Sequence, residues 1–361
     1  MGGKSISGEQ KKTAAQLATA TGQLLDWYDR AGRQLPWRRR WPDLAPPYLV
    51  FLSELMLQQT TVAAVIPYFQ AFVKRWPTIE ALAEAEQAEL LEAWAGLGYY
   101  ARARNMHKAA RLIVQSYDGQ FPGQPDQLCT LPGIGPYTAG AIAAIAFDQP
   151  APVIDSNIER VLARFYHLDM PLPGLKKQLA TPYSRLMPDQ RRSDFPQALM
   201  DLGALVCTPA RPDCAACPLA GACSARHLAD PAILPVKPAK KAKPTRRGRA
   251  LVLLDGQGRA ALTRRGEKGL LGGLPGFPSD GWDHSPPEPL DQILDRLAAT
   301  RLEGAVHHTF THFRASITLC LAEARGADWP DGWFWAVPDE TGLPSLMKKI
   351  WQAAKAKQVN D

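Results

Sequence analysis

The chain has 361 residues, 46% of them hydrophobic and 21% charged, with a formal net charge of +7; that is room for two domains with cores of their own and an ordinary composition for a globular protein. No run approaches the roughly 20 apolar residues of a membrane helix, which excludes such a span, and the start MGGKSISGEQKKTAAQLA lacks an apolar signal core, so a cytoplasmic protein without a membrane partner is expected. Residues 237–249 (KPAKKAKPTRRGR) carry seven Lys or Arg and no acid, which equals the whole excess. Bulk charge is therefore a weak guide, and local sites must identify any anionic partner.

In chain order, residues 13–227 read as helical. Apolar residues recur at helical spacing over 13–30, 48–73, 79–94 and 102–117, between Pro or Gly breaks, and again over 136–147, 157–166 and 195–206. Composition then shifts. Residues 228–249 are rich in Pro, Ala, Lys and Arg without apolar period and are expected to form a semi-extended linker. Such a linker is either a solvated tether or a basic strip against a phosphate backbone. Beyond it, ALVLLDGQGRAALTRR reads as strand, Gly-rich turn and strand, HTFTHFRASITLCLAEA as a further alternating strand, and residues 344–355 as a closing helix. The expected organisation is a mainly α domain over 1–227, a linker over 228–249 and a smaller α+β domain over 250–361.

Four of six cysteines crowd into 17 residues as Cys207-x6-Cys214-x2-Cys217-x5-Cys223. In a reducing compartment that pattern reads as metal binding before disulfides. Four thiolates can wrap one tetrahedral metal or one iron–sulfur cube, but structural zinc sites favour paired short C-x2–4-C units and only one short pair is present. Cys129 and Cys320 are expected to be buried thiols. Arg211, inside the loop, is a candidate phosphate contact. In LPGIGPYTAG, Gly133 and Gly135 permit a tight turn with positive φ, and Pro136 suits the first position of the next helix. The segment is either a plain helix-to-helix turn or a helix–hairpin–helix that aims backbone N–H groups at a phosphate.

Two carboxyls stand out. Glu54, in YLVFLSELMLQQT, has Val50, Phe51, Leu57 and Gln58 as helical neighbours and so no ion-pair partner on its own helix. Either another helix or solvent satisfies it, or it is a carboxyl held protonated by apolar surroundings and fit to act as a general acid. Asp155, in APVIDSNIERVLARF, precedes a helix and could simply cap it. Ser156 and Glu159 offer an alternative capping box that would leave Asp155 free to face a ligand. LPWRRRW and GLGYYARARN interleave aromatic rings with Arg, as packing with solvated charge or as wedges with phosphate grips.

With LLDWYDRAGRQLPWR, SELMLQQTTVAAVIPYF, GLGYYARARNMHKAA, LPGIGPYTAGAIA, VIDSNIERVLAR, the cysteine loop and HTFTHF together, the chain resembles the MutY-type adenine DNA glycosylases of the helix–hairpin–helix, iron–sulfur superfamily, to which endonuclease III also belongs. The resemblance implies base excision repair: removal of adenine mispaired with 8-oxoguanine or guanine in duplex DNA by hydrolysis of its N-glycosidic bond. It implies that Glu54 protonates the leaving adenine at N7, that Asp155 stabilises the sugar cation and that Asn157 helps organise the site. Tyr137 stands where the lyase branch carries a nucleophilic Lys, implying a monofunctional enzyme. Trp37, Arg38, Leu57 and Gln197 match adenine-pocket positions. Gln59 and Tyr99 match residues inserted into the duplex, Gly133 and Gly135 the hairpin that grips DNA, and Phe310, Thr311 and His312 a loop that inspects 8-oxoguanine. Cys207, Cys214, Cys217 and Cys223 match the ligands of a 4Fe–4S cluster. A monomer is expected, associated with the nucleoid if the source is a bacterium. Two positions depart from the family: Ser156 stands where Gly is usual after the Asp, a strain on the order of 1 kcal/mol if that residue needs positive φ, and Thr311 replaces the Ser of Phe-Ser-His. The C-terminal domain resembles the Nudix fold but lacks its acidic G-x5-E-x7-R-E-x2-E-E helix, so recognition and not hydrolysis is expected there.

Overall fold

The protein is described by a computed structural model over residues 12–238, 242–266, 269–283, 290–324 and 332–358. The chain divides into two units, residues 1–93 with 102–239, and residues 94–101 with 240–361. In the first unit, several helices start where a hydroxyl or a proline precedes an apolar stripe. Helix α1 (Ala14–Ala31) opens on a capping box: the Thr13 hydroxyl accepts from Gln16 N, and the Gln16 side chain accepts from Thr13 N. It turns Leu17, Leu24, Leu25 and Tyr28 inward. Helix α2 (Pro47–Leu57) has Pro at its start and is buried on every side from Val50 to Met56. The apolar stretch expected as one helix over 48–73 breaks after it, because Gln59 takes a positive φ of 60° and Thr61 caps a new helix, α3 (Val62–Arg75).

The stretch 79–94 likewise divides into α4 (Ile79–Glu84) and α5 (Gln87–Ala93). Then come α6 (Ala101–Tyr117), the short α7 (Pro125–Leu128), α8 (Pro136–Phe147), α9 (Ser156–Tyr166), α10 (Ala180–Leu186) and α11 (Asp194–Leu205). Helix α8 is rich in small and apolar residues and is buried from Thr138 to Ala146. Gly203 lets α11 close on α9, since a Cβ there would lie 2.6 Å from the Asn157 Cβ. The expected linker is shorter than 228–249. Leu234 is buried and its carbonyl accepts from Arg164 Nε at 3.0 Å, and Leu172 N donates to Val236 O at 3.0 Å. At its other end, the first strand already begins at Thr245.

That strand, β1 (Thr245–Leu254), forms a hairpin with β2 (Ala260–Arg264) through Gly256 and Gly258, both at positive φ. Short strands β3 (Pro275–Gly276) and β4 (Ser279–Asp280) pair with β2 and β1. Helix α12 (Leu290–Arg296), β5 (Thr300–Arg301), β6 (Val306–Thr309), β7 (Arg314–Glu323), β8 (Trp333–Ala336) and α13 (Ser345–Gln358) complete the unit. The 308–324 stretch expected as one strand instead belongs to two, because the chain turns where Phe310 N donates to Phe313 O at 2.9 Å. The mixed sheet runs β3-β2-β1-β7-β5, with β1 and β7 parallel in the register Thr245↔Arg314 to Leu254↔Glu323. Alternation along β1 feeds two cores. Ala250, Val252 and Leu254 join Phe277, Trp282, Ile317, Met347, Ile350 and Trp351 on one face, while Leu251 and Leu253 join Leu290, Ile293 and Cys320 on the other. No helix among the described residues is long and apolar enough to cross a membrane.

Candidate active site

In the first unit, α2, α8, α9, α11 and the loop after α1 converge on a cavity of about 330 Å³. Eight of the residues expected at the site line it together: Trp37, Arg38, Glu54, Leu57, Tyr137, Asp155, Asn157 and Gln197. Glu54 reaches it from the middle of α2 and is only 6% exposed. Burial pushes its pKa up, a hydrogen bond from Tyr137 pulls it down, the Asp155 charge raises it and Arg38 lowers it; the balance is about 7. Burial and then the charges of Glu54 and Asp155 hold the Tyr137 pKa well above its ordinary value, so its hydroxyl stays a donor.

Asp155 is surrounded differently. It caps α9, with Oδ1 accepting from Asn157 N at 2.9 Å and Ile158 N at 2.7 Å, and Oδ2 from Asn157 Nδ2 at 2.8 Å. Of the two caps that the sequence allows, Asp155 and Ser156, the chain uses Asp155, which both caps the helix and faces the cavity. Three donors at a helix N-terminus solvate a negative charge well. Ser156 is the first residue of α9 and is not at positive φ, so it brings no strain.

Behind Asp155 runs a buried relay that the sequence pattern does not reveal. Asn157 Oδ1 accepts from Arg160 Nη2 at 2.9 Å, and the same guanidinium donates to Gly203 O at 2.6 Å and Cys207 O at 2.8 Å. Arg164, one turn on, donates to Cys207 Sγ at 3.4 Å, Thr208 O at 2.7 Å and Pro209 O at 2.9 Å. Two Arg four apart read as surface charge in sequence; only the packing of α11 and the cysteine loop on α9 reveals them as buried. The four cysteines of that loop are half-buried and close enough that Cys207, Cys223 and Cys214 all raise the Cys217 pKa, after burial, to about 12. Among the described residues no three His, Cys, Asp or Glu are arranged to hold a single metal ion. Cys320 is buried as expected, whereas Cys129 is exposed, because it ends α7 beside the hairpin.

Arg38 lines the cavity, but its guanidinium is engaged by the fully buried Asp201, at 2.7 and 3.0 Å, beside Arg33. Trp37 is packed edge-on against Phe69 at 5.2 Å. Gln197 Nε2 donates to Ser193 O at 2.8 Å. Gln59 is exposed and outside the cavity lining. The break that carries it is held by Arg102, which donates to Leu55 O, Met56 O and Gln58 O at 2.5–3.0 Å and so covers the open carbonyl end of α2. Gly133 has φ +79°, and a Cβ there would lie 2.7 Å from the Asn105 Cβ. Gly135 departs from the expected positive φ: at −94° it is the N-cap of α8, with Pro136 first in the helix. In the second unit, Tyr99 is exposed at φ 49° and its hydroxyl lies 2.9 Å from Thr311 Oγ1. Thr311 and His312 are exposed and Phe310 is half-buried.

Residues 52–180 match the family described as HhH-GPD superfamily base excision DNA repair protein. The chain is 34% identical to the adenine DNA glycosylase of Homo sapiens over 96% of its own length and 76% of that protein. The chain belongs to the adenine DNA glycosylases. Another member, the adenine DNA glycosylase of Mycolicibacterium smegmatis, is 45% identical over 55% of this chain and 66% of that protein. The helical domain is similar to the structure of a thermostable thymine-DNA glycosylase, with a TM-score of 0.52 and 25% identity over 58% of this chain and 96% of that one. Residues 249–353 match the NUDIX domain. This glycosylase thus joins a helix–hairpin–helix domain to a Nudix-like one.

Proposed function

We propose that this chain flips an adenine mispaired with 8-oxoguanine or guanine out of duplex DNA into its cavity and hydrolyses the N-glycosidic bond, leaving an abasic site. The observation that carries the reading is one cavity holding two carboxyls in opposite surroundings. Glu54 is buried with a pKa near 7, and Asp155 sits at a helix N-terminus with three donors. Cleavage of a glycosidic bond needs an acid for the leaving group and an anion for the cationic sugar. Glu54, held by Tyr137, gives its proton to adenine N7 as the bond to C1′ breaks. Asp155, oriented by Asn157, stabilises the sugar cation until water adds at C1′ and releases a proton. No Lys lines the cavity among the described residues, which supports hydrolysis over an amine-linked strand cleavage.

Extruding the base costs a few kcal/mol. Gln59 and Tyr99 offset it by inserting into the duplex, while the Gly133–Gly135 turn and the α8 N-terminus grip the backbone. Trp37, Leu57 and Gln197 enclose the adenine; Arg38, committed to Asp201, shapes the wall. Thr311 and His312 inspect the base opposite. Cys207, Cys214, Cys217 and Cys223, four thiols with mutual electrostatic influence, suit a 4Fe–4S cluster, which when bound supplies a rigid anchor for this loop. Arg160 then ties the loop to Asn157 and Asp155. Arg160→Gln, which strands several buried acceptors, is expected to cost about 2–4 kcal/mol of stability. It is also expected to slow excision about tenfold in single-turnover assays, as loss of outer-sphere support does elsewhere.

Single-turnover reactions on duplexes with adenine opposite 8-oxoguanine, guanine or thymine test the reading. The expected result is free adenine from the first two and an intact backbone. Binding without base release, or strand scission concurrent with release, overturns it.

A further inference from the structure

Phe310 is half-buried. It lies over a column of flat groups in the second unit. The Arg265 guanidinium stands 4.8 Å over the Trp282 ring; Trp282 stacks on Phe310 at 5.7 Å with planes 5° apart; Phe310 stacks on Phe313 at 4.8 Å; Arg246 stands 4.3 Å over Phe313. Three rings in successive contact are thus joined by two cation–ring contacts, Arg265 on Trp282 and Arg246 on Phe313, each a favourable pairing. Trp282 is fully buried, yet its indole N–H has no partner among the described residues, and burying an unpaired donor is costly. Strand β1 carries Gly248 beside it, where a Cβ would come within 2.9 Å of Trp282 N and Cδ1. The ring is accommodated at the expense of its polar atom and of the neighbouring backbone, so its flat face is what the fold uses.

We infer that Trp282 is a positioning residue for reading the base opposite the adenine: through Phe310 it fixes the turn that presents Thr311 and His312. The inference rests on the proposal that this turn inspects that base. Phe310 is bound into the turn by its N–H to Phe313 O, and its carbonyl accepts from Lys243 Nζ at 2.9 Å. A ring stacked against both Trp282 and Phe313 is restricted in its rotation. The exposed Thr311 and His312 follow it in the chain and inherit that orientation. Discrimination by hydrogen bonds requires placement to within a fraction of an ångström. Removing the indole frees Phe310 to rotate and blurs the tip, while the cavity in the other unit is untouched.

The test compares the full-length protein with Trp282→Leu, Trp282→Phe and Thr311→Ala in single-turnover adenine release opposite 8-oxoguanine and opposite guanine. Trp282→Leu is expected to narrow the preference for 8-oxoguanine about tenfold, leaving release opposite guanine unchanged. Trp282→Phe keeps a ring, removes the unpaired N–H and is expected to retain the preference. A general structural role would instead slow both substrates together. If Trp282→Leu unfolds the C-terminal domain, Trp282→Met, whose unbranched side chain adapts to an irregular gap without a flat face, takes its place. A full preference in a folded Leu or Met variant overturns the inference. A Thr311→Ala variant with unchanged preference overturns the inspection reading of the turn itself, which separates the two failures.

Discussion

Glu54→Gln is expected to lower the single-turnover rate of base release roughly 10²–10⁴-fold, the range general acids supply, and to leave duplex binding nearly intact. Gln matches Glu in shape and can still accept the Tyr137 hydrogen bond, so the cavity keeps its form. It has no acidic proton to give. In the native protein the acid form of Glu54 predominates below pH 7 and disappears above it, so release should be fast at pH 6 and fall up to tenfold per pH unit above about 7. The stability consequence has a fixed sign. The carboxyl titrates at the ordinary 4.5 when unfolded and at about 7 when folded. Its raised pKa favours the fold below 4.5, and that advantage is lost as pH rises to 7; the charged form then costs the folded state on the order of 3 kcal/mol. Glu54→Gln should therefore melt above the native protein at pH 8 while its catalysis fails, the exchange of stability for activity seen at strained sites. An unchanged rate, or a rate that climbs as pH rises through 7, removes Glu54 from the acid role.

Much of this was legible in the sequence because it is local. Pro136 after Gly135 marks the start of α8, the cysteine spacing marks one loop, and the lack of any cation near Glu54 on its own helix marks a carboxyl whose setting is decided elsewhere. What was not legible depends on contacts between distant segments. Two residues competed to cap α9; local spacing suits both, and the choice of Asp155 shows only where its oxygens meet Asn157 N and Ile158 N. Arg160 and Arg164 look like the polar face of a helix until α11 and the cysteine loop bury them. Phe310 looks like a probe until Trp282 is found beneath it. The basic run at 237–249 reads equally as a tether or as a strip against a phosphate backbone, and composition does not reveal that from Thr245 onward it is already strand. The glycosylase motifs were thus readable, whereas the scaffold that orients them was not.

Asp155→Asn should reduce base release by at least roughly 10²–10³-fold, the scale of losing one preorganised electrostatic group at a developing charge. The difficulty is that Asp155 has two duties, capping α9 and facing the cavity, and a loss of activity could follow from either. Substitution by different caps separates them. Asn and Ser cap helices about as well as Asp, within a few tenths of a kcal/mol. Both Asp155→Asn and Asp155→Ser should therefore keep the unfolding midpoint close to that of the native protein, and both should lose base release, because neither bears a charge. If either variant cleaves normally, the carboxylate is a cap and nothing more. The remaining activity carries further information. The Asp155 charge is among the influences that raise the Glu54 pKa. Neutralising it lowers that pKa, and the alkaline limb of the residual rate moves to lower pH. A lost anion and a displaced acid limb in one variant would tie the two carboxyls to a single reacting nucleotide, an outcome that a damaged helix terminus does not produce.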